Sequence, residues 1–130
     1  MNLRRMRYLI NRLPMARFRV EKAISTATRT TAPITGMPGG SGISDPVQHG
    51  AELLEIARKR YRDVRDELTA MRREVKPLID ALDDPLERTV MQMRYLDGAS
   101  AREIAYRLSY SERHVFRELR EAEKKIVNNS

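Results

Sequence analysis

The chain has no cysteine and no tryptophan. The first absence excludes a disulfide framework and any thiolate metal site, and it fits a reducing compartment. Only 5% of residues are aromatic while 33% are charged, which is too little bulk for a thick globular core. Long amphipathic helices with a small helical module suit such a composition. No apolar run approaches the length of about 18 residues that a transmembrane helix needs, so none is expected. The positive charges near Met1 are not followed by an unbroken apolar segment, which argues against a secretory signal. His49 and His114 stand far apart without a matching carboxylate or cysteine arrangement, so zinc is not expected. The glycines of GMPGGSG, residues 36–42, follow no strand pattern and precede no Gly-Lys-Ser/Thr, so they read as a linker and not as a phosphate loop. Asp83 and Asp84 could be taken for an acid–base pair, but Pro85 makes Asp84 a helix cap. The expectation is a protein that is not an enzyme, with no catalytic residue, no cofactor and no metal.

What the chain does have is charge, unevenly placed. The formal net charge is +7. Residues 1–30 hold eight basic side chains (Arg4, Arg5, Arg7, Arg12, Arg17, Arg19, Lys22 and Arg29) against Glu21 alone, whereas residues 83–130 hold nine basic and nine acidic ones. The excess sits at the amino-terminal end. Such a segment attracts nucleic acid, anionic lipid or an acidic protein surface, unless it is only a solvated helix face.

Four stretches separate by pattern. Residues 1–27 form a basic amphipathic helix, with Leu3, Met6, Ile10, Leu13, Val20 and Ile24 on one heptad seam and Arg17 interrupting it. Pro14 should kink or split that helix. Residues 28–46, rich in Ser, Thr, Gly and Pro, read as a flexible linker. Residues 47–82 carry the strongest periodic signal: Leu54, Ala57, Tyr61, Val64, Leu68, Met71, Val75, Leu78 and Leu82 alternate by three and four. This is a coiled-coil helix, bent near Pro77, whose stripe needs a partner. The first helix folded back as a hairpin is one partner, and a second copy of the chain, giving a homodimer, is the other. The fold class expected is therefore all-α, a long helical hairpin or coiled coil followed by a three-helix module over residues 83–130.

That last module begins at Asp84, with Pro85 at the first helical position and Glu87 closing a capping box. Its first helix carries Leu86, Val90, Met93 and Leu96 and ends near Asp97-Gly98. Ser100 and Glu103 make a second capping box, and Ser111 caps a third helix. In SAREIAYRLSYSERHVFRELREAEKKI, Ile104 and Leu108 bury one face of a short helix, Ala105 allows a close crossing, and Val115 and Leu119 lock the next helix onto it. This is the logic of a helix-turn-helix. It leaves Glu112, Arg113, His114 and Arg117 projecting from the part that such motifs place in the major groove.

From Glu103 to Ile126 the pattern E-I-A-x-x-L-x-x-S-x-x-x-V-x-x-x-L-x-x-A-x-K-K-I resembles region 4 of bacterial sigma factors, especially the extracytoplasmic type. PLERTVMQMRYLDGAS before it looks like the helix that opens region 4. Ser109 departs from the pattern, since many relatives have Gly there. The linker TATRTTAPITGMPGGSG, the long helix and LDDPLERTVMQMRYLDG together resemble small phage and prophage proteins of uncharacterised function with sigma-like carboxyl ends. The resemblance implies a sequence-specific DNA-binding transcription regulator of phage or prophage genes in the cytoplasm of a bacterial host. Its partners would be double-stranded DNA and RNA polymerase, with no membrane. By position, Arg113, His114 and Arg117 would face base edges, and Ser111 and Glu112 would lie beside them. Arg102, Arg94, Arg120, Lys124 and Lys125 would be candidates for phosphate contacts. Two other functions fit the same pattern: a DNA-packaging protein like a small terminase subunit, and a coiled-coil interaction protein.

Overall fold

Five α-helices succeed one another along the chain: α1 (Leu3–Thr31), α2 (Pro46–Asp80), α3 (Pro85–Met91), α4 (Ala101–Leu108) and α5 (Glu112–Asn128). The computed structural model describes residues 1–31 and 46–128, and no strand occurs among them. The fold is all-α, as expected from composition and periodicity. None of the described helices is long and apolar enough to cross a membrane.

One boundary differs from expectation. The linker was expected from residue 28, but α1 continues to Thr31. Its threonines do not break it because Thr26 Oγ1 donates to the Lys22 carbonyl (3.0 Å) and Thr28 Oγ1 to that of Ile24 (2.9 Å). Each hydroxyl is satisfied one turn back, inside the helix. The remainder of the expected linker, residues 32–45, lies outside the described residues. Pro14 does not split α1, and α2 runs on past Pro77 to Asp80. Both prolines are exposed, so neither ring crowds the core.

The chain divides into two compact units: Met1–Ile10 with Glu67–Ser130, and Asn11–Asp66. The first holds the deep core. Leu3, Met6, Leu9 and Ile10 of α1, Leu68, Val75 and Ile79 of α2, and Leu82 beyond it are buried with Val90, Met91, Tyr95, Ile104, Val115, Leu119 and Ile126. Leu9 and Ile79 lie off the heptad seams. A helix packed against more than one neighbour buries a wider stripe than a coiled-coil seam. Within the second unit, α1 and α2 run beside each other, with Ala16 and Ala57 at the shared floor and Leu13, Val20, Leu54, Tyr61 and Val64 half-buried. Arg17, the interruption of the first seam, hydrogen-bonds the Tyr61 hydroxyl, which holds its guanidinium pKa above the usual value.

In α3, Asp84 caps as expected: its Oδ1 accepts from the backbone N–H groups of Leu86 (2.8 Å) and Glu87 (3.3 Å). Glu87 has a different partner from the one expected. It is buried, and its carboxylate accepts from Lys125 Nζ at 2.9 and 2.8 Å, tying α3 to α5. The helix then widens into a π-helical turn, Gln92–Leu96, closed by Asp97 N–H to the Gln92 carbonyl at 3.0 Å. One extra residue in the turn rotates the side chains beyond it around the axis. Tyr95 thereby takes the core position, while Met93 and Leu96, the residues expected there, are only half-buried.

Gly98 ends this turn with φ of +76°. A Cβ there would meet Arg72 Nη2 at 3.6 Å and Ile10 Cγ2 at 3.8 Å, ordinary contacts, so the obstacle is the backbone itself. Gly98→Ala is expected to cost about 1–2 kcal/mol, the penalty of a left-handed L-residue. Urea unfolding measures it, and an unchanged midpoint would show that the turn relaxes freely.

Candidate nucleic-acid interface

The short helix α4 starts at Ser100, whose Oγ accepts from Glu103 N–H at 3.1 Å. It ends at Ser109, which sits in the left-handed region at φ 59° and ψ 38°. A non-glycine residue is strained here. The Tyr110 N–H reaches the Ala105 carbonyl at 3.0 Å and closes the end of α4. Ser111 Oγ then accepts from His114 N–H at 3.1 Å and opens α5. Ile104 and Ala105 of α4 are buried, as are Val115, Leu119, Ala122 and Ile126 of α5. Ile104, Ala105, Val115 and Leu119 are thus buried as expected from the sequence, whereas Leu108, expected beside Ile104, is only half-buried.

The outer side of α5 is sorted by charge. At 3.6 residues per turn, Arg113, Phe116, Arg117, Arg120 and Lys124 fall within one sector of about 100° opposite the buried row. No acidic residue of α5 falls in that sector. Glu112 and Glu121 lie beyond its edges, Glu121 within 3.4 Å of Lys124. Glu118 faces His114 (3.3 Å), and Glu123 accepts from the Tyr95 hydroxyl (2.7 Å). Among the described residues, Arg113 and Arg117 have no ion-pair or hydrogen-bond partner. On α5, therefore, Glu118 and Glu123 turn inward and Glu112 and Glu121 lie to the sides, while Arg113, Arg117, Arg120 and Lys124 face out.

The sequence-derived candidates do not all share this surface. Arg113, Arg117, Arg120 and Lys124 are brought together on it. His114 is half-buried, its ring edge-on to Tyr110 at a centroid distance of 4.6 Å, and it is turned away. Glu112 is exposed at the edge of this surface, where it lines a shallow concavity with Arg113, Phe116 and Arg120, Ser111 spends its oxygen on the cap, and Arg102 is exposed in the first turn of α4. Arg94 donates to the Ala99 carbonyl at 3.2 Å, and Lys125 is held by Glu87, so both serve the interior. Phe116, 50% exposed in the middle of the arginines, was missed. The signal was present: an apolar residue three after Arg113 lies out of phase with the core. Tyr106 on α4 is 88% exposed and was missed for the same reason. At the far end of α5, Arg120 and Lys124 share a shallow concavity with Asn2 and Arg4 of the first unit's amino-terminal segment. Of the other arginines there, Arg5 pairs with Glu67 at 2.9 Å and Arg7 donates to the Tyr95 hydroxyl at 2.8 Å.

Three carboxylates, Asp84, Glu87 and Glu118, place oxygens within 4.8 Å of one another. Their lone pairs already serve the α3 cap, Lys125 and His114. This cluster has a complete structural explanation.

No curated protein and no solved structure matches the chain. The model of a family described as "Protein of unknown function (DUF1492)" matches residues 51–127, from the amino-terminal part of α2 to the end of α5. The match spans more than half of the sequence and takes in the whole of α3 and α4, so the chain belongs to the DUF1492 family.

Proposed function

We propose that the chain is a sequence-specific DNA-binding regulator of phage or prophage genes, with α4 and α5 acting as a sigma region 4-like helix-turn-helix. The observation that carries this reading is the outward stripe of α5, in which Arg113, Arg117 and Arg120 project without an intervening acid. A helix of this kind fits the major groove, and arginine is the side chain best matched to the guanine edge. Arg120, Lys124 and Arg4 extend the positive surface toward the flanking phosphates. The resemblance to region 4 adds RNA polymerase as a protein partner and the cytoplasm of a bacterial host as the setting.

Selection from a random duplex pool, followed by titration of the selected site, tests it. Arg113→Ala and Arg117→Ala are each expected to weaken specific binding by roughly 1–3 kcal/mol and to relax sequence preference. Lys124→Ala should weaken binding to all sequences alike and reduce the salt dependence. Both arginines are exposed, so the variants should melt as the wild type does. Folded variants that bind with full affinity and selectivity would remove α5 as the recognition element. A wild-type chain that selects no sequence and binds no duplex at low salt would remove the reading altogether.

A further inference from the structure

Among its described residues, the second unit leaves an apolar face uncovered. Met15 is 51%, Leu53 45% and Ile56 50% exposed, and they stand along a groove between α1 and α2 of about 370 Å³, floored by Ala16, Ala57 and Val64. Phe18, one turn on from Met15, is 63% exposed. Monomeric proteins rarely leave such a row in water. Small residues on the floor let another helix approach closely. The groove carries Arg19 and Arg60 against Asp63, and Lys22 continues it beyond Arg19, so an occupant that brings acidic groups beside its apolar ones suits it.

The chain itself carries a helix of that description. On the other side of Ile56, α2 presents Glu52 and Glu55 around a second, shallower concavity with Gln48 and Ala51. Ile56 is the ridge between the two. Glu52, Ile56 and Arg60 are four residues apart and lie on one stripe: an acid, an apolar centre and a base. Reversed end to end, the stripe complements itself. In an antiparallel pairing of two α2 helices about Ile56, residue 52 of one copy faces residue 60 of the other, twice by symmetry.

We propose that the chain forms a two-fold homodimer through this face, α2 of each copy seating its Leu53–Ile56 ridge in the groove of the other and pairing Glu52 with Arg60. Two hairpins joined this way make an antiparallel four-helix bundle, the smallest arrangement that buries both apolar rows. The interface lies in the Asn11–Asp66 unit and is independent of the proposed DNA-binding function.

Sedimentation equilibrium on the full chain tests it. Wild type is expected to be dimeric, and Ile56→Asp monomeric. Glu52→Arg alone and Arg60→Glu alone each set like charges face to face at both symmetric pairs, and each should raise the dissociation constant by about tenfold. An equimolar mixture of the two single variants restores both pairs and should form a heterodimer, and the double variant should regain the wild-type constant. All three positions are exposed in the single chain, so each variant should keep the wild-type far-ultraviolet circular dichroism spectrum, and its melting temperature should fall only by the stabilisation lost with association. A wild-type chain that remains monomeric up to about 1 mM overturns the proposal. So does a dimer indifferent to Ile56→Asp, or one in which the mixed charge variants fail to recover association.

Discussion

Leu68→Glu should unfold the unit built from Met1–Ile10 and the carboxyl-terminal half, while Leu53→Glu, on the same helix, should leave it folded. Both residues are leucines of α2. Leu68 is 1% exposed among the deepest side chains of the core, whereas Leu53 is nearly half open to water. A glutamate at residue 68 must lose its hydration inside the apolar core, or take up a proton. Either cost reaches several kcal/mol, a large part of the roughly 5–15 kcal/mol that holds a domain together. Denaturant unfolding followed by far-ultraviolet circular dichroism reads the difference. An unchanged Leu68→Glu midpoint would mean that this part of α2 is not buried in solution.

Tyr95 gives the second large effect. Its ring is fully buried, and its hydroxyl donates to Glu123 and accepts from Arg7. Tyr95→Ala removes the largest side chain of the core and should cost about 3–5 kcal/mol. Tyr95→Phe keeps the ring and should cost about 1–3 kcal/mol, because Glu123 and Arg7 lose the group between them. The two variants also separate by pH. Burial, then the bond to Glu123, push the Tyr95 phenol well above its ordinary value. A group raised on folding stabilises fully below its unfolded pKa, here about 10, and that contribution fades as pH climbs toward the folded value. Wild type should therefore lose stability above about pH 10, and Tyr95→Phe should lose less over the same range. Parallel curves for the two proteins would show that Tyr95 ionises as freely as an exposed tyrosine.

Legibility in the sequence tracked the range over which each residue acts. Caps were readable because they involve neighbours three apart: Asp84, Ser100 and Ser111 each accept the backbone N–H expected of them. The crossing of α4 and α5 was readable for the same reason, through Ile104, Ala105, Val115 and Leu119. The position of Tyr95 was not, because one extra residue in the turn at Gln92–Leu96 shifts the phase that periodicity assumes. Glu87 looked like a capping residue and proved to be the partner of Lys125, 38 positions away. His114 and Arg113 are adjacent and equally polar, yet the first turns to Glu118 and Tyr110 while the second faces out. Only the angle around the helix separates them, and that angle is set by Val115 and Leu119 once they are known to be the core.

The two ends of the chain meet in one core, and this sets an order of assembly. Arg7 and Tyr95 are 88 positions apart, and Arg5 and Glu67 are 62 apart. During synthesis, Leu3, Met6, Leu9 and Ile10 leave the ribosome long before Val115, Leu119 and Ile126 exist to cover them. Closing a flexible loop as long as residues 11–66 costs on the order of 4 kcal/mol in chain entropy before any of those contacts forms. Helical pairing of α1 with α2 inside that stretch shortens the gap and lowers the cost. The hairpin thus acts as a folding clamp for the core, and variants that loosen it should slow refolding even where every residue of the core is intact.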